Sequence, residues 1–226
     1  MGAAEYIDRK NDLTAGLEAD NYILSELPEV MTTIYEEQIN LVIWQRSLNP
    51  SILQYCHQLV DSYPNFNMRS VIKPKSAPQS LSSVLPDQKG RDVFIQDLTL
   101  LVEMYSCLFD LDEVGVRLQV LDRAMCPRFH TDKLGCRLVS TYVGEGTEWL
   151  HNRDIDRSKL GAGNQGLSDD KSGLYSNAAS IQQACMGDVI LLKGDGWYDN
   201  EGLGAVHRSP TVKHHQQRLV VTMDFA

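Results

Sequence analysis

Apolar residues recur along this chain with two different periods. Between Asp92 and Phe109 they fall at Phe94, Leu98, Leu101, Val102, Tyr105 and Leu108, the spacing of a helix with one buried stripe. From Gly115 onward the runs VRLQVLDR, CRLVSTYVG, DVILLKG and RLVVTMDF are short, rich in β-branched residues and separated by Gly, Pro, Asn or Asp. That pattern predicts an antiparallel system of many strands. Within DVILLKG, Val189 and Leu191 alternate with Ile190 and Leu192, so both faces of that strand are expected to be buried. In RLVVTMDF, alternation sets Arg218, Val220 and Thr222 on one face and Leu219, Val221, Met223 and Phe225 on the other.

The first half reads differently. INLVIWQ (39–45) is a strand pattern, and Asn49-Pro50, a cap followed by proline at the first helical position, introduces a helix over SILQYCHQLVDS. FNMRSVI (66–72) is a second strand pattern, and KPKSAPQSLSSVLPDQKG reads as a long surface loop. Residues 1 to about 30 carry no long regular period and read as a helical or partly ordered leader. The expectation is an α+β chain forming a single domain over 1–226, with 1–114 as mainly helical support carrying one or two strands and 115–226 as a β core. Inside that core, residues 152–177 form a Gly-, Ser- and Asp-rich loop long enough to be a lid over a site.

Composition narrows the class. Hydrophobic residues at 42% and charged residues at 23% are ordinary globular usage. With 30 acidic against 21 basic residues the formal charge is −9, which argues against a nucleic-acid partner, since phosphate binding needs a basic footprint. No apolar run suggests a membrane span, and the first residues lack a secretory pattern, so a cytoplasmic protein is expected. The 5 cysteines are scattered with no C-x-x-C, which points to reduced thiols rather than a disulfide framework.

Candidate chemistry sits in CPRFHTDKLGCRLVSTY. His130 and Asp132 are separated by one residue, so on an extended strand they share a face, with backbones about 6.6 Å apart. A second histidine from a distant strand would complete a two-histidine, one-carboxylate facial triad that holds iron(II) and leaves other positions open. His207, in GAVHRSP, stands at the start of a later strand pair. Arg218 leads the mostly buried last strand and needs an anionic partner, because an unpaired charge there would cost several kcal/mol. Arginine also suits bidentate carboxylate recognition.

The order His130-x-Asp132, His207, then Arg218 on the final strand resembles the Fe(II)/2-oxoglutarate-dependent dioxygenase superfamily. FHTDKLGCRLVSTYVGEGTEWL is similar to the prolyl-hydroxylase-like pattern of metal pair, strand, tyrosine and G-x-T segment, and CMGDVILLKGDGW to the strand before the distal histidine. The chain also looks like a bacterial family catalogued as of unknown function. The resemblance implies a double-stranded β-helix (jelly-roll or cupin-like) core with N-terminal supporting helices. It implies that His130, Asp132 and His207 bind Fe(II) as catalytic ligands, and that Arg218 pairs with the distal carboxylate of 2-oxoglutarate, with Tyr142 or Thr141 supplying a hydroxyl. A hydroxylase-type oxygenase acting on a small-molecule or peptide substrate would follow. Many members carry serine two residues beyond the arginine, where Val220 stands here, and Arg137 is a rival anion partner.

Two alternatives accompany this reading. Cys126 and Cys136 flank the H-x-D motif and could recruit zinc, giving a zinc enzyme or metal-handling protein with the same His/Asp/His ligands. A non-catalytic jelly-roll binding module is the other. His57 reads as a partly buried helix residue, His151 as a loop histidine, and His214 and His215 as a solvated turn. Trp149 and Trp197 border segments expected at the mouth of the barrel.

Overall fold

The computed structural model describes residues 21–213 and 216–226. They form a mixed α+β molecule built on a seven-stranded sheet faced by a smaller three-stranded one. The strands are β1 (Tyr22–Ser25), β2 (Leu41–Trp44), β3 (Asn67–Ile72), β4 (Val114–Leu121), β5 (Cys136–Val143), β6 (Glu148–Leu150), β7 (Ile181–Gln183), β8 (Val189–Lys193), β9 (His207–Arg208) and β10 (Arg218–Phe225). The large sheet runs β1-β2-β8-β5-β10-β4-β3 and the small one β7-β6-β9. Every pairing is antiparallel except β1 with β2.

Three α-helices, α1 (Pro50–Ser62), α2 (Ala77–Ser82) and α3 (Arg91–Phe109), belong to the first half of the chain. Asn49 caps α1 as its sequence predicts, its side chain accepting from the Ser51 N–H at 2.8 Å, with Pro50 in the first turn. The stripe on α3, including Phe94, Leu98, Leu101 and Tyr105, is buried together with Leu138 and Tyr142 of β5 and Leu219, Val221 and Met223 of β10. The helices therefore cover one face of the large sheet. The other face is narrower in coverage: Trp149, Ala184 and Ala205 from the small-sheet side pack on Leu41, Ile43, Val139, Ile190, Leu192 and Val220. Strand β8 is buried on both faces, as its apolar run predicts.

Several expectations are corrected. The leader reading fails where the chain is described, because Tyr22–Ser25 is an edge strand and Pro28–Tyr35 a 3-10 helix; a four-residue strand is too short to show a period. Residues 1–20, like His214 and His215, lie outside the described residues. The segment read as a loop after β3 contains a 3-10 turn, Pro74–Ser76, and α2. Pro74 and Pro78 sit in first-turn positions, where a missing N–H costs nothing, so they start helices here rather than break them. His57 is exposed on α1 rather than partly buried. No residue of 152–177 lines the central cavity, although Asp169 of this segment accepts from Arg208, which does. Ile155, Leu160, Leu174 and Tyr175 pack with Leu150, Val206 and Ile181, on the outer side of the small sheet. No helix among the described residues is long and apolar enough to cross a membrane.

Candidate metal centre

The backbone brings the two distant histidines together. His130 and His207 form an isolated antiparallel bridge in which each N–H donates to the other's carbonyl at 3.0 Å. From His130 the chain turns through Thr131–Gly135 into β5, and this turn is bound to the exit of β8. Asp195 N–H donates to the Asp132 carbonyl at 2.8 Å, and Gly194 N–H to the Gly135 carbonyl at 2.8 Å. Only glycine fits at 194, since a Cβ there would meet the Leu134 carbonyl oxygen at 2.1 Å. The Asp195 carboxylate accepts from Thr131 Oγ1 at 2.7 Å, Lys133 Nζ at 2.6 Å and Gly204 N–H at 3.0 Å. The dipeptide Gly194-Asp195 thus fixes the turn that carries Asp132.

Within this frame the ligand atoms converge. Asp132 Oδ1 lies 3.8 Å from His130 Nε2, and Asp132 Oδ2 lies 3.6 Å from His207 Nε2. Both separations are within the roughly 4.2 Å that a single ion can bridge when each ligand atom sits about 2.1 Å from it. All three groups fall within 4.8 Å of one another. Both imidazoles face a backbone carbonyl through Nδ1, His130 with Arg128 O at 2.9 Å and His207 with Ala205 O at 3.0 Å. A carbonyl only accepts, so Nδ1 carries the proton and Nε2 offers its lone pair to the centre, the tautomer a metal ligand needs. Burial pushes His207 down to about 4 despite the neighbouring Asp132 carboxylate, which keeps the ring neutral. The side chains of His207 and Asp132 are largely enclosed, whereas that of His130 is 32% exposed. The cluster is therefore open on one side.

Three arginines line the adjoining cavity, and their partners separate them. Arg137 donates through Nη1 to both oxygens of Asp132, at 3.1 and 3.0 Å, and through Nε and Nη2 to Asp224, at 2.7 and 3.0 Å. It orients the ligand carboxylate and has no donor pair left for a distant anion. Arg208 is committed to Glu148 at 2.6 Å and Asp169 at 3.1 Å. Arg218 is 3% exposed and donates through Nε to the Glu145 carbonyl at 2.6 Å and through Nη2 to Thr141 Oγ1 at 3.2 Å. Among the described residues it has no carboxylate at ion-pair distance. Burial lowers it to about 10, against the more distant pull of Glu145 and Glu148, so it remains a cation at neutral pH. Gly144, at φ +87°, lets the chain pass the arginine stem, because a Cβ there would stand 2.8 Å from Arg218 Cγ.

The two hydroxyl candidates separate by strand parity. Thr141 lies on the face of Arg218 and touches it. Tyr142 is on the opposite face, where its hydroxyl donates to Asp97 at 2.5 Å and lies 3.4 Å from Arg46. A role for Tyr142 at the cavity is therefore corrected. The structure adds Thr222 and Thr147, which line the cavity; the buried Thr222 hydroxyl has no hydrogen-bond partner among the described residues. Alternation along β10 set Thr222 beside Arg218, and that parity was the available signal for it. Cys136 is fully buried on the helix side, its thiol pushed up by burial, and only Cys126 reaches the cavity. Trp149 is buried opposite His207 in the small sheet, while Trp197 packs on the helix-side core under Lys193.

A search of curated proteins finds no match. Among solved structures, a prolyl-4-hydroxylase from Pseudomonas putida is 10% identical over 87% of this chain and 96% of its own, with a TM-score of 0.44. An oxidoreductase of the 2OG-Fe(II) oxygenase family from Burkholderia pseudomallei is 12% identical over 91% and 94%, at 0.44. HygX from Streptomyces hygroscopicus, solved with iron bound, is 8% identical over 87% and 85%, at 0.46. A family model described as protein of unknown function DUF1826 matches residues 25–224, and the chain belongs to that family.

Proposed function

We propose that the protein is a non-haem Fe(II)- and 2-oxoglutarate-dependent oxygenase whose two facing sheets form a double-stranded β-helix core. The observation that carries this reading is one cavity lined by two histidines of an N,N,O donor cluster and by a buried arginine with no carboxylate partner among the described residues. Two imidazole nitrogens and a carboxylate are the donor set of a facial triad for iron(II). The cation at Arg218 and the orphaned Thr222 hydroxyl fit the distal carboxylate of a small dicarboxylic acid.

Bound together, Fe(II) and 2-oxoglutarate would, with dioxygen as the oxidant, supply oxidative decarboxylation to succinate and carbon dioxide coupled to hydroxylation of a substrate C–H bond. The remaining work falls to the chain. His130, His207 and Asp132 hold the ion, with the two Nδ1–H donors locking ring orientation and Arg137 fixing the carboxylate. Arg218 neutralises and orients the co-substrate's far end. Leu121, Val139 and Val220 make the cavity wall apolar and restrict water. All five thiols are free, which supports a reducing, cytoplasmic setting. The acidic balance supports a substrate other than nucleic acid.

Anaerobic reconstitution with Fe(II), followed by addition of 2-oxoglutarate, tests the proposal. A metal-to-ligand charge-transfer band is expected in the natural protein, and in Arg218→Met only at co-substrate concentrations at least about tenfold higher, the loss of one charged hydrogen-bond pair. No band at any concentration, with zinc tightly retained, would favour a zinc protein built on the same three ligands.

A further inference from the structure

The small sheet covers only part of the inner face of the large one. Its buried packing partners come from β2, β8, β5 and β10, with Leu121 at the end of β4 partly buried against them, and the same face continues beyond them along β4 and β3. One row of paired residues crosses this boundary: Val139 on β5 faces Thr222 on β10, Thr222 faces Arg117 on β4, and Arg117 faces Arg69 on β3. Val139 and Thr222 line the cavity. Strand spacing sets the Arg117 backbone about 5 Å, and that of Arg69 about 10 Å, beyond Thr222.

Parity confirms which way this row points. Met68 and Ile72 of β3 and Val116 and Leu118 of β4 enter the helix-side core, so Arg69 and Arg117 lie on the other face, as do Asn67 and Gln119, which hydrogen-bond to each other at 3.1 Å. Directly opposed like charges on adjacent strands destabilise a sheet. Here nothing offsets them. Neither arginine makes an ion pair or side-chain hydrogen bond among the described residues, and the Arg117 Nε is buried without a partner. In a protein of net charge −9, two arginines occupy paired positions on adjacent strands, one and two strands beyond the cavity-lining Thr222, with no carboxylate at ion-pair distance among the described residues.

We infer that Arg69 and Arg117 form an oxyanion subsite that holds a carboxylate or phosphate group of a small anionic substrate. Calling the ligand a substrate rests on the oxygenase reading; the subsite itself rests on the row of pairs and the unpartnered guanidinium groups. Two planar forks carried on paired strand positions suit bidentate capture of either oxyanion. A molecule anchored there would extend along the Val139–Thr222–Arg117–Arg69 row toward the triad, so its reactive carbon would lie several bonds from its charged group.

The test uses the full chain carrying Arg218→Met, which blanks the cavity arginine, with arginine side chains labelled for NMR. Inorganic phosphate and, separately, acetate are titrated at constant ionic strength. The Nε–H signals of Arg69 and Arg117 should shift together along one saturating curve with at least one of the two anions, phosphate against acetate telling which oxyanion is preferred. Arg69→Gln should weaken binding read at Arg117 about tenfold, the loss of one charge-assisted pair. The milder Arg69→Lys keeps the charge and serves if the glutamine variant does not fold. Non-saturating drift with both anions, or unchanged affinity in both variants, overturns the subsite. The charge-transfer experiment on the natural protein separates the two ideas: a band without saturable anion binding removes the subsite and leaves the oxygenase reading, and the converse leaves an anion site on a protein that is not this oxygenase.

Discussion

On β10, Leu219, Val221 and Met223 enter the helix-covered core, while Arg218, Val220 and Thr222 at alternate positions line the cavity. The same eight-residue strand thus serves two purposes, and β5 repeats the division with Leu138 and Tyr142 against Arg137, Val139 and Thr141. On the helix side the large polar groups are paired, Tyr105 donating to the Cys136 carbonyl at 2.7 Å and Tyr142 to Asp97, while the small hydroxyl of Ser140 is buried among apolar neighbours without a partner among the described residues. On the cavity side a cation lacks its carboxylate and a hydroxyl lacks any partner. The main apolar core lies on one face of the sheet, and the buried cation without a carboxylate lies on the other, as expected where local rules are broken for function.

Substitutions should move the two faces independently. The largest effect is expected from Leu219→Ala, which opens a cavity in the helix-side core; urea unfolding should show a loss of about 2–5 kcal/mol, while metal affinity of the folded protein stays the same. An equal loss of metal affinity would erase the division. Asp195→Asn should act in the opposite sense. By loosening the turn that carries Asp132 it should weaken Fe(II) or Mn(II) binding about tenfold in a competition titration, an effect typical of groups behind metal ligands, with a smaller change in unfolding. The least effect belongs to Asn49→Ala, which removes the α1 cap and should cost about 1 kcal/mol in unfolding without altering metal binding.

How much of this was legible beforehand follows from the same parity. The period-2 alternation in RLVVTMDF and the double burial of VILLK survived folding because core burial enforces register. The α3 stripe and the Asn49-Pro50 cap were readable because each is a local signal. His130, Asp132, His207 and Arg218 were singled out by order, spacing and a family resemblance; the ligand atoms of the first three lie within 4.8 Å of one another, and His130, His207 and Arg218 line one cavity. What escaped was nonlocal. Nothing in the sequence says that Arg137 is spent on Asp132 and Asp224, that Asp195 braces the ligand turn, or that Arg69 and Arg117 end up opposed. Tyr142 was misjudged because parity in CRLVSTYV could not be fixed before its neighbours were known. The packing of the 152–177 segment was hidden for a related reason: its scattered Ile155, Leu160, Leu174 and Tyr175 look incidental until the outer side of the small sheet appears as their partner.

The reciprocal bridge between His130 and His207 has a consequence for how an ion would arrive. Two donors remote in sequence are tied by their own backbones, so the chain entropy of closing that long loop is spent when the sheet forms, not when the ion is captured. Uptake then resembles an ion entering a finished socket. Chelation should empty it and leave the architecture standing, ready to be refilled without refolding.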